Sequence, residues 1–251
     1  MNNQIKLDIL YNEQFPLSNK YDPSWILKNQ MGPHPLWLTE FLVQPFDLKP
    51  GMRVLDLACG KGMTSVFLAH EFGVQVYAVD LWDAPDEKWE NAKTYDVEHL
   101  ITPIQADAKQ LPFAPGFFDA IVCINSWYYF GQDEAYLEYI LKFLRPGGQI
   151  GMIINGYPKE APDKVPDYLV EFLGEDQLWT WKSLAWYRSL WEKDGLVSID
   201  IADALPNSCD LLIRYEAAQL AYNPLGEDET DIYEEDNGEY MGFVRLVATK
   251  N

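Results

Sequence analysis

The sequence predicts an α/β protein built around a doubly wound, mainly parallel sheet, on three observations. Short apolar segments alternate with helical patterns along the chain. Those segments are apolar on successive residues, as in strands covered on both faces. The first of them ends in an acid, and a glycine turn then opens a helix, Val54-Leu-Asp-Leu-Ala-Cys-Gly-Lys-Gly-Met-Thr64. Repeated β-α-β units require crossovers onto parallel neighbours, which gives the fold class.

Five segments read as strands in order: 53–57, 74–79, 101–105, 120–124 and 149–154. Each is β-branched or apolar with turn-forming neighbours. After the glycine turn, Met63, Val66 and Phe67 share one helical face, and Gly73 is placed to stop that helix. From Asp133, residues Tyr136, Leu137, Ile140, Leu141 and Leu144 form a second apolar stripe, which ends in the turn Arg145-Pro-Gly-Gly148. Residues 36–43 read as a helix within an N-terminal cover, 1–45, that also holds Trp25 and Met31-Gly-Pro-His-Pro35. The core occupies 46–154, and 155–251 carries substrate-side insertions and the last strands of one domain. There, 183–193 and 209–221 read as helices and 196–201 and 240–249 as strands. The acid-rich stretch 226–239 reads as a solvated loop.

With 48% hydrophobic and 14% aromatic residues, the 251-residue chain can bury a substantial core. No apolar run approaches the roughly 18 residues of a membrane span. The polar start lacks the layout of a signal peptide, so a cytoplasmic protein is expected. Cys59, Cys123 and Cys209 show no paired spacing, so three reduced thiols and no metal site are expected. The net charge of −20 repels nucleic acid and anionic membrane surfaces. A neutral or cationic small molecule is the better partner. Oligomeric state is not legible.

The order of these motifs resembles a class I S-adenosylmethionine-dependent methyltransferase, from about residue 48 to 154. Asp56-Leu-Ala-Cys-Gly-Lys-Gly62 is similar to that family's glycine motif, with Ala58 and Thr64 where many members carry glycine. Asp80, ending Tyr77-Ala-Val-Asp80, stands at the ribose-binding position. Gln105-Ala-Asp107-Ala108, Phe118-Asp-Ala-Ile-Val-Cys-Ile-Asn125 and Leu144-Arg-Pro-Gly-Gly148 resemble later family segments. Within the family the chain resembles the small-molecule branch, in the company of cyclopropane-fatty-acid-synthase-like and quinone-methyltransferase-like proteins. No acid or histidine array matches the cyclopropane synthases' own chemistry.

The resemblance implies a Rossmann-like sheet of about seven strands with an antiparallel last strand, and S-adenosylmethionine as cofactor. Gly60 and Gly62 then give backbone approach to the methionine moiety, and Asp56 orders the turn and the amino group. Ala58 and Cys59 belong to the same cofactor turn, Cys59 as a packed thiol. Asp80 accepts from the ribose hydroxyls; a carboxylate there also rejects a 2′-phosphate. Leu81 and Trp82 pack on adenine, Asp107 and the Ala108 amide bond its edge, and Asn125 faces the reacting centre. Trp127, Tyr128 and Tyr129 wall the acceptor, with His34 and Tyr128 as the candidate bases. His70 and His99 read as structural. The implied reaction is methyl transfer to an N, O, S or C atom of a small molecule. Alternatives are a non-catalytic cofactor-binding module, an NAD-dependent oxidoreductase, and a transferase using another part of the cofactor.

Overall fold

The computed structural model describes residues 8–175 and 177–251. The first residues of the chain, read above as lacking a signal-peptide layout, lie outside the described range. The strands are β1 (Arg53–Leu57), β2 (Gln75–Asp80), β3 (Ile101–Gln105), β4 (Phe118–Ile124), β5 (Leu144–Gly156), β6 (Val197–Ala204) and β7 (Gly242–Lys250). They form one sheet in the order β3-β2-β1-β4-β5-β7-β6. β1 pairs in parallel with both β2 and β4, while β7 runs antiparallel to β5 and β6. The one reversed strand is therefore last in sequence but lies inside the sheet, between β5 and β6.

Alternation along the strands divides the core in two. Val54, Val76, Ala78, Ala120 and Val122 face one layer, and Leu55, Val79, Ile121 and Cys123 the other. The first layer packs against α1 (Pro23–Asn29), α2 (Pro35–Val43), α3 (Met63–Phe72), α4 (Pro85–Thr94) and α8 (Ser208–Tyr222). The second is covered by α5 (Glu134–Leu141) and α7 (Leu184–Glu192) through Leu137, Ile140, Tyr187 and Trp191. The remaining helices, α6 (Asp167–Leu173) and α9 (Thr230–Asp236), lie in the C-terminal half.

Local chemistry sets the boundaries. Asp133 and Ser183 cap α5 and α7 by accepting from Ala135 N–H and Trp186 N–H. Asp22 does the same for α1, with Pro23 at the first helical position. Gly73 ends α3 in the left-handed conformation at φ 64°. Two buried groups hold the N-terminal elements, Glu40 to one another and Arg245 to the sheet. Glu40 accepts from the Leu17 and Ser18 amides and from the Ser18 hydroxyl. Arg245 on β7 pairs with Asp203, donates to Phe41 O and lies over the Phe41 ring.

Two expectations are corrected. Residues 145–148 are not a turn before β5 but an irregularity inside it, where the pairing steps from Phe118–Leu144 to Ala120–Gln149. The acid-rich stretch 226–239 contains α9, because Tyr233 and Asp236 are buried. Asp236 accepts from the Tyr168 hydroxyl and the Met241 amide, so part of that charge is internal structure. Among the described residues no helix is long and apolar enough to cross a membrane.

Candidate active site

The chain leaves β1 and β4 toward opposite sides of the sheet, which opens a crevice at their carboxyl ends. The glycine turn fills its floor. Gly60 and Gly62 have φ of 53° and 80°, and Ala58 is left-handed as well, at 57°. Gly60 donates its N–H to Asp80 Oδ2 at 2.9 Å, which ties the turn to the end of β2. The other oxygen, Asp80 Oδ1, accepts from Trp82 N–H at 2.8 Å and Asp83 N–H at 3.0 Å. A Cβ at Gly60 would stand 2.8 Å from Met31 Sδ, so the N-terminal cover lies directly on the turn.

Asp56 is wholly buried beneath this turn. Its Oδ2 accepts from the Thr64 and Ser65 hydroxyls, both at 2.6 Å, while Oδ1 has no partner. Burial pushes its carboxyl up to about 6, partly opposed by the two hydroxyls. The Cys59 thiol is pushed well above its ordinary value by burial and by the Asp56 charge, so it stays protonated and packed. Lys88, buried behind the turn, donates to Asp83 O and packs on Gly62.

A cavity of about 460 Å³ lies over the crevice. Ala58, Cys59, Gly60, Asp80, Leu81, Trp82, Asp107, Ala108, Asn125, Tyr128 and Tyr129 all line it. Asp107 also accepts from Lys109 N–H at 2.8 Å, the local turn bond typical of an acid there. Asn125 is left-handed at φ 52° and accepts from Asn155 N–H through Oδ1 at 3.4 Å. Trp82 and Tyr129, both exposed, meet edge to face with ring centroids 5.8 Å apart.

Four expected residues do not line the cavity. Gly62 faces Lys88, and Asp56 acts from below through Thr64, which does line it. Trp127 is corrected outright: it is fully buried, donates to Gly131 O and packs against Tyr136 and Trp191. Its ring fills the second core layer, where the apolar neighbours and the Gly131 carbonyl satisfy both its face and its N–H. His34 is corrected as well. It is buried at the start of α2, where Nδ1 accepts from Trp37 N–H at 3.2 Å, and its ring stacks on Trp37. Desolvation lowers its pKa to about 3. It faces a small apolar recess beside Tyr215, not the main cavity. Tyr128 lines the cavity, where burial and then the neighbouring Tyr129 hydroxyl push its own hydroxyl above the ordinary value.

Sequence reasoning placed a lid over 1–45 but named only His34 of it as a site residue. Asn29, Met31, Gly32, Pro33 and Pro35 line the cavity, as do Lys61, Met63 and Lys109. The signal was Met31-Gly-Pro-His-Pro35 itself. Pro35 starts α2, and Gln30 caps the end of α1, so the chain between the two helices lines the cavity as a short bent link over 31–33. Among the described residues no group of three His, Cys, Asp or Glu side chains is placed to hold a metal ion.

A glycine turn and a strand-end carboxylate at the switch point of this sheet define a nucleoside-binding α/β protein. Residues 55–152 match the family model described as a methyltransferase domain. A methyltransferase, GfsG, of Streptomyces halstedii is 29% identical over 66% of this chain and 60% of its own length. The sarcosine/dimethylglycine N-methyltransferase of Halorhodospira halochloris is 28% identical over 62% of this chain and 55% of its own. The chain thus spans less than two thirds of either relative. Among solved structures, phosphoethanolamine N-methyltransferase 2 of Haemonchus contortus superposes with a TM-score of 0.71 at 18% identity, covering 100% of this chain and 60% of that one. Residues 55–152 thus resemble the methyltransferase domain of S-adenosylmethionine-dependent enzymes that act on small molecules.

Proposed function

We propose that this protein is an enzyme that transfers the methyl group of S-adenosylmethionine to a small molecule. The acceptor carries its own nucleophilic atom and binds in uncharged or cationic form. The observation that carries this reading is a cavity joining the Gly60 turn and Asp80 to a wall of tyrosines, Phe130, Asn125, Ser126, Met31 and prolines, without a carboxylate, histidine or lysine. Asp80 holds the ribose hydroxyls, Asp107 and the Ala108 amide meet the adenine edge, and Leu81 and Trp82 pack on its face. Gly60 fits close backbone approach, since its left-handed φ of 53° strains any side chain and a Cβ there would have to displace the Met31 thioether. The unpaired Asp56 Oδ1 leaves one buried acceptor for a donor supplied through the turn.

When bound, S-adenosylmethionine supplies a methyl group already activated by the positive sulfur. The chain's residues then have to fix the acceptor in line and exclude water, which accounts for roughly 7–11 kcal/mol of barrier. Tyr128, Tyr129, Phe130, Asn125 and Ser126 form one side of that wall, and Met31, Pro33 and Pro35 the other. None of these carries a charge. The cavity's cations, Lys61 and Lys109, follow Gly60 and Ala108 in sequence and belong to the cofactor side. Sarcosine bears a carboxylate and phosphoethanolamine a phosphate, anions that call for a facing cation. The acceptor proposed here is of another class, apolar or aromatic in body, with cation–π contacts worth about 0.5–2 kcal/mol where it is an amine.

Thermal shifts with S-adenosylmethionine, S-adenosylhomocysteine and NAD test the reading. The first two should stabilise the protein; stabilisation by NAD alone would sink it. Asp80→Ala should weaken cofactor binding about a hundredfold, because charge-assisted bonds to two hydroxyls are lost. In turnover, kcat should follow the acceptor's own ionisation, with no enzyme group titrating between about pH 7 and 9.

A further inference from the structure

Behind the glycine turn, Asn91 on α4 is 7% exposed and joins three elements that the cavity depends on. Its Oδ1 accepts from Trp25 Nε1–H on α1 at 3.0 Å. Its Nδ2 donates to Lys61 O of the glycine turn at 2.9 Å and to Asn29 Oδ1 at the end of α1 at 3.3 Å. Asn29 in turn donates to Trp25 O at 2.9 Å and lines the cavity. The partners fix the orientation of the amide. A flipped Asn91 would set N–H against the indole N–H and oxygen against the Lys61 carbonyl. Few short side chains combine one acceptor with two donors, so the site specifies a carboxamide.

We propose that Asn91 is a positioning residue that couples the glycine turn to the N-terminal cover, so that cofactor seated on the turn orders residues 24–34 over the acceptor. The inference rests on the reading that the cofactor binds at the Gly60 turn. Its physical basis is a shared hydrogen-bond hub. Lys61 O and Asn29 Oδ1 are held by two protons of one planar amide, so fixing the turn restricts the amide and hence the end of α1. The cover continues from Asn29 to Met31, which touches Gly60 from the other side, and to Gly32, which approaches Asn125. The coupling closes a ring around the crevice: turn, Asn91, Asn29, Met31 and back to the turn.

Amide hydrogen exchange with and without S-adenosylhomocysteine tests this on the full chain. In the unmodified protein the ligand should slow exchange at both 58–62 and 24–34. In Asn91→Ala, protection of 58–62 should persist at saturating ligand, with affinity about tenfold weaker from the lost buried bonds. Protection of 24–34 should then be lost. A purely structural Asn91 would raise exchange at 24–34 with and without ligand and leave the ligand-dependent difference intact, and that result overturns the coupling. Protection of 58–62 alone in the unmodified protein overturns it too, while leaving the cofactor reading in place. Protection of neither segment removes both. Should Asn91→Ala fail to fold, Asn91→Ser, which keeps a hydroxyl in the site, is read by the same difference.

Discussion

At the residue scale, His34 shows how burial reverses a chemical expectation. A histidine between two prolines near a crevice suggests a base, yet desolvation holds it neutral at a pKa of about 3. The unfolded chain takes up a proton below the ordinary 6.5, while the folded state does not. Stability is therefore full above that value and falls as pH drops toward 3, by about 2 kcal/mol at pH 5. Asp56 works oppositely: its carboxyl is raised to about 6, so it favours the folded state as pH falls through that value. Urea denaturation of the native protein and of His34→Asn, which keeps a capping oxygen, separates the two, since Asp56 is common to both. The stability difference between them should shift by about 2 kcal/mol between pH 7 and 5; a constant difference would contradict a neutral His34. Ala58 is a second case. At φ 57° a β-carbon is strained, so stability should run Gly at or above Ala, with Ala58→Val about 2 kcal/mol below, measured from urea midpoints.

At the element scale, the link from β4 to α5 separates packing from lining. Within Ser126-Trp-Tyr-Tyr-Phe130, one 3-10 turn over Trp127–Tyr129 sends Trp127 into the core and leaves Tyr128 and Tyr129 at the cavity. A turn of three residues necessarily divides neighbouring side chains among different directions. Trp127→Ala should cost about 3–5 kcal/mol of unfolding free energy, because an indole wedged between Tyr136 and Trp191 leaves a void. Tyr129→Ala, at an exposed ring, should leave the denaturation midpoint nearly unchanged. Equal losses in the two would reject this division. The cover obeys the same logic. Glu40 and the Arg245–Phe41 contact hold the C-terminal half of α2, and the link 30–34 is left to span the crevice.

At the scale of the whole molecule, the net charge is −20, most of its acids lie on the surface, and most of the ion pairs among the described residues are exposed. Exposed pairs contribute little, whereas self-repulsion acts on every acid. Adding about 0.15 M sodium chloride, with a screening length of about 8 Å, should therefore raise the melting temperature. A fall would mean that local pairs outweigh the general field. The uncharged or cationic acceptor proposed above is the class that such a field repels least.

The sequence by itself determined the sheet, the glycine turn, and the two carboxylates at the ends of β1 and β2. Each follows from short-range rules: apolar runs of strand length, a turn that only small residues tolerate, and acids at fixed offsets from both. Asp80 and Gly60 were readable for that reason. Tertiary structure alone decided which face Trp127 turns to, that His34 is buried, that α9 forms within an acid-rich stretch, and that Met31 and Asn29 complete the cavity. Those outcomes depend on burial and on partners far away in the chain, such as Tyr136, Tyr215, Tyr168 and Asn91. Local pattern carries no record of which distant group will exclude water from a side chain.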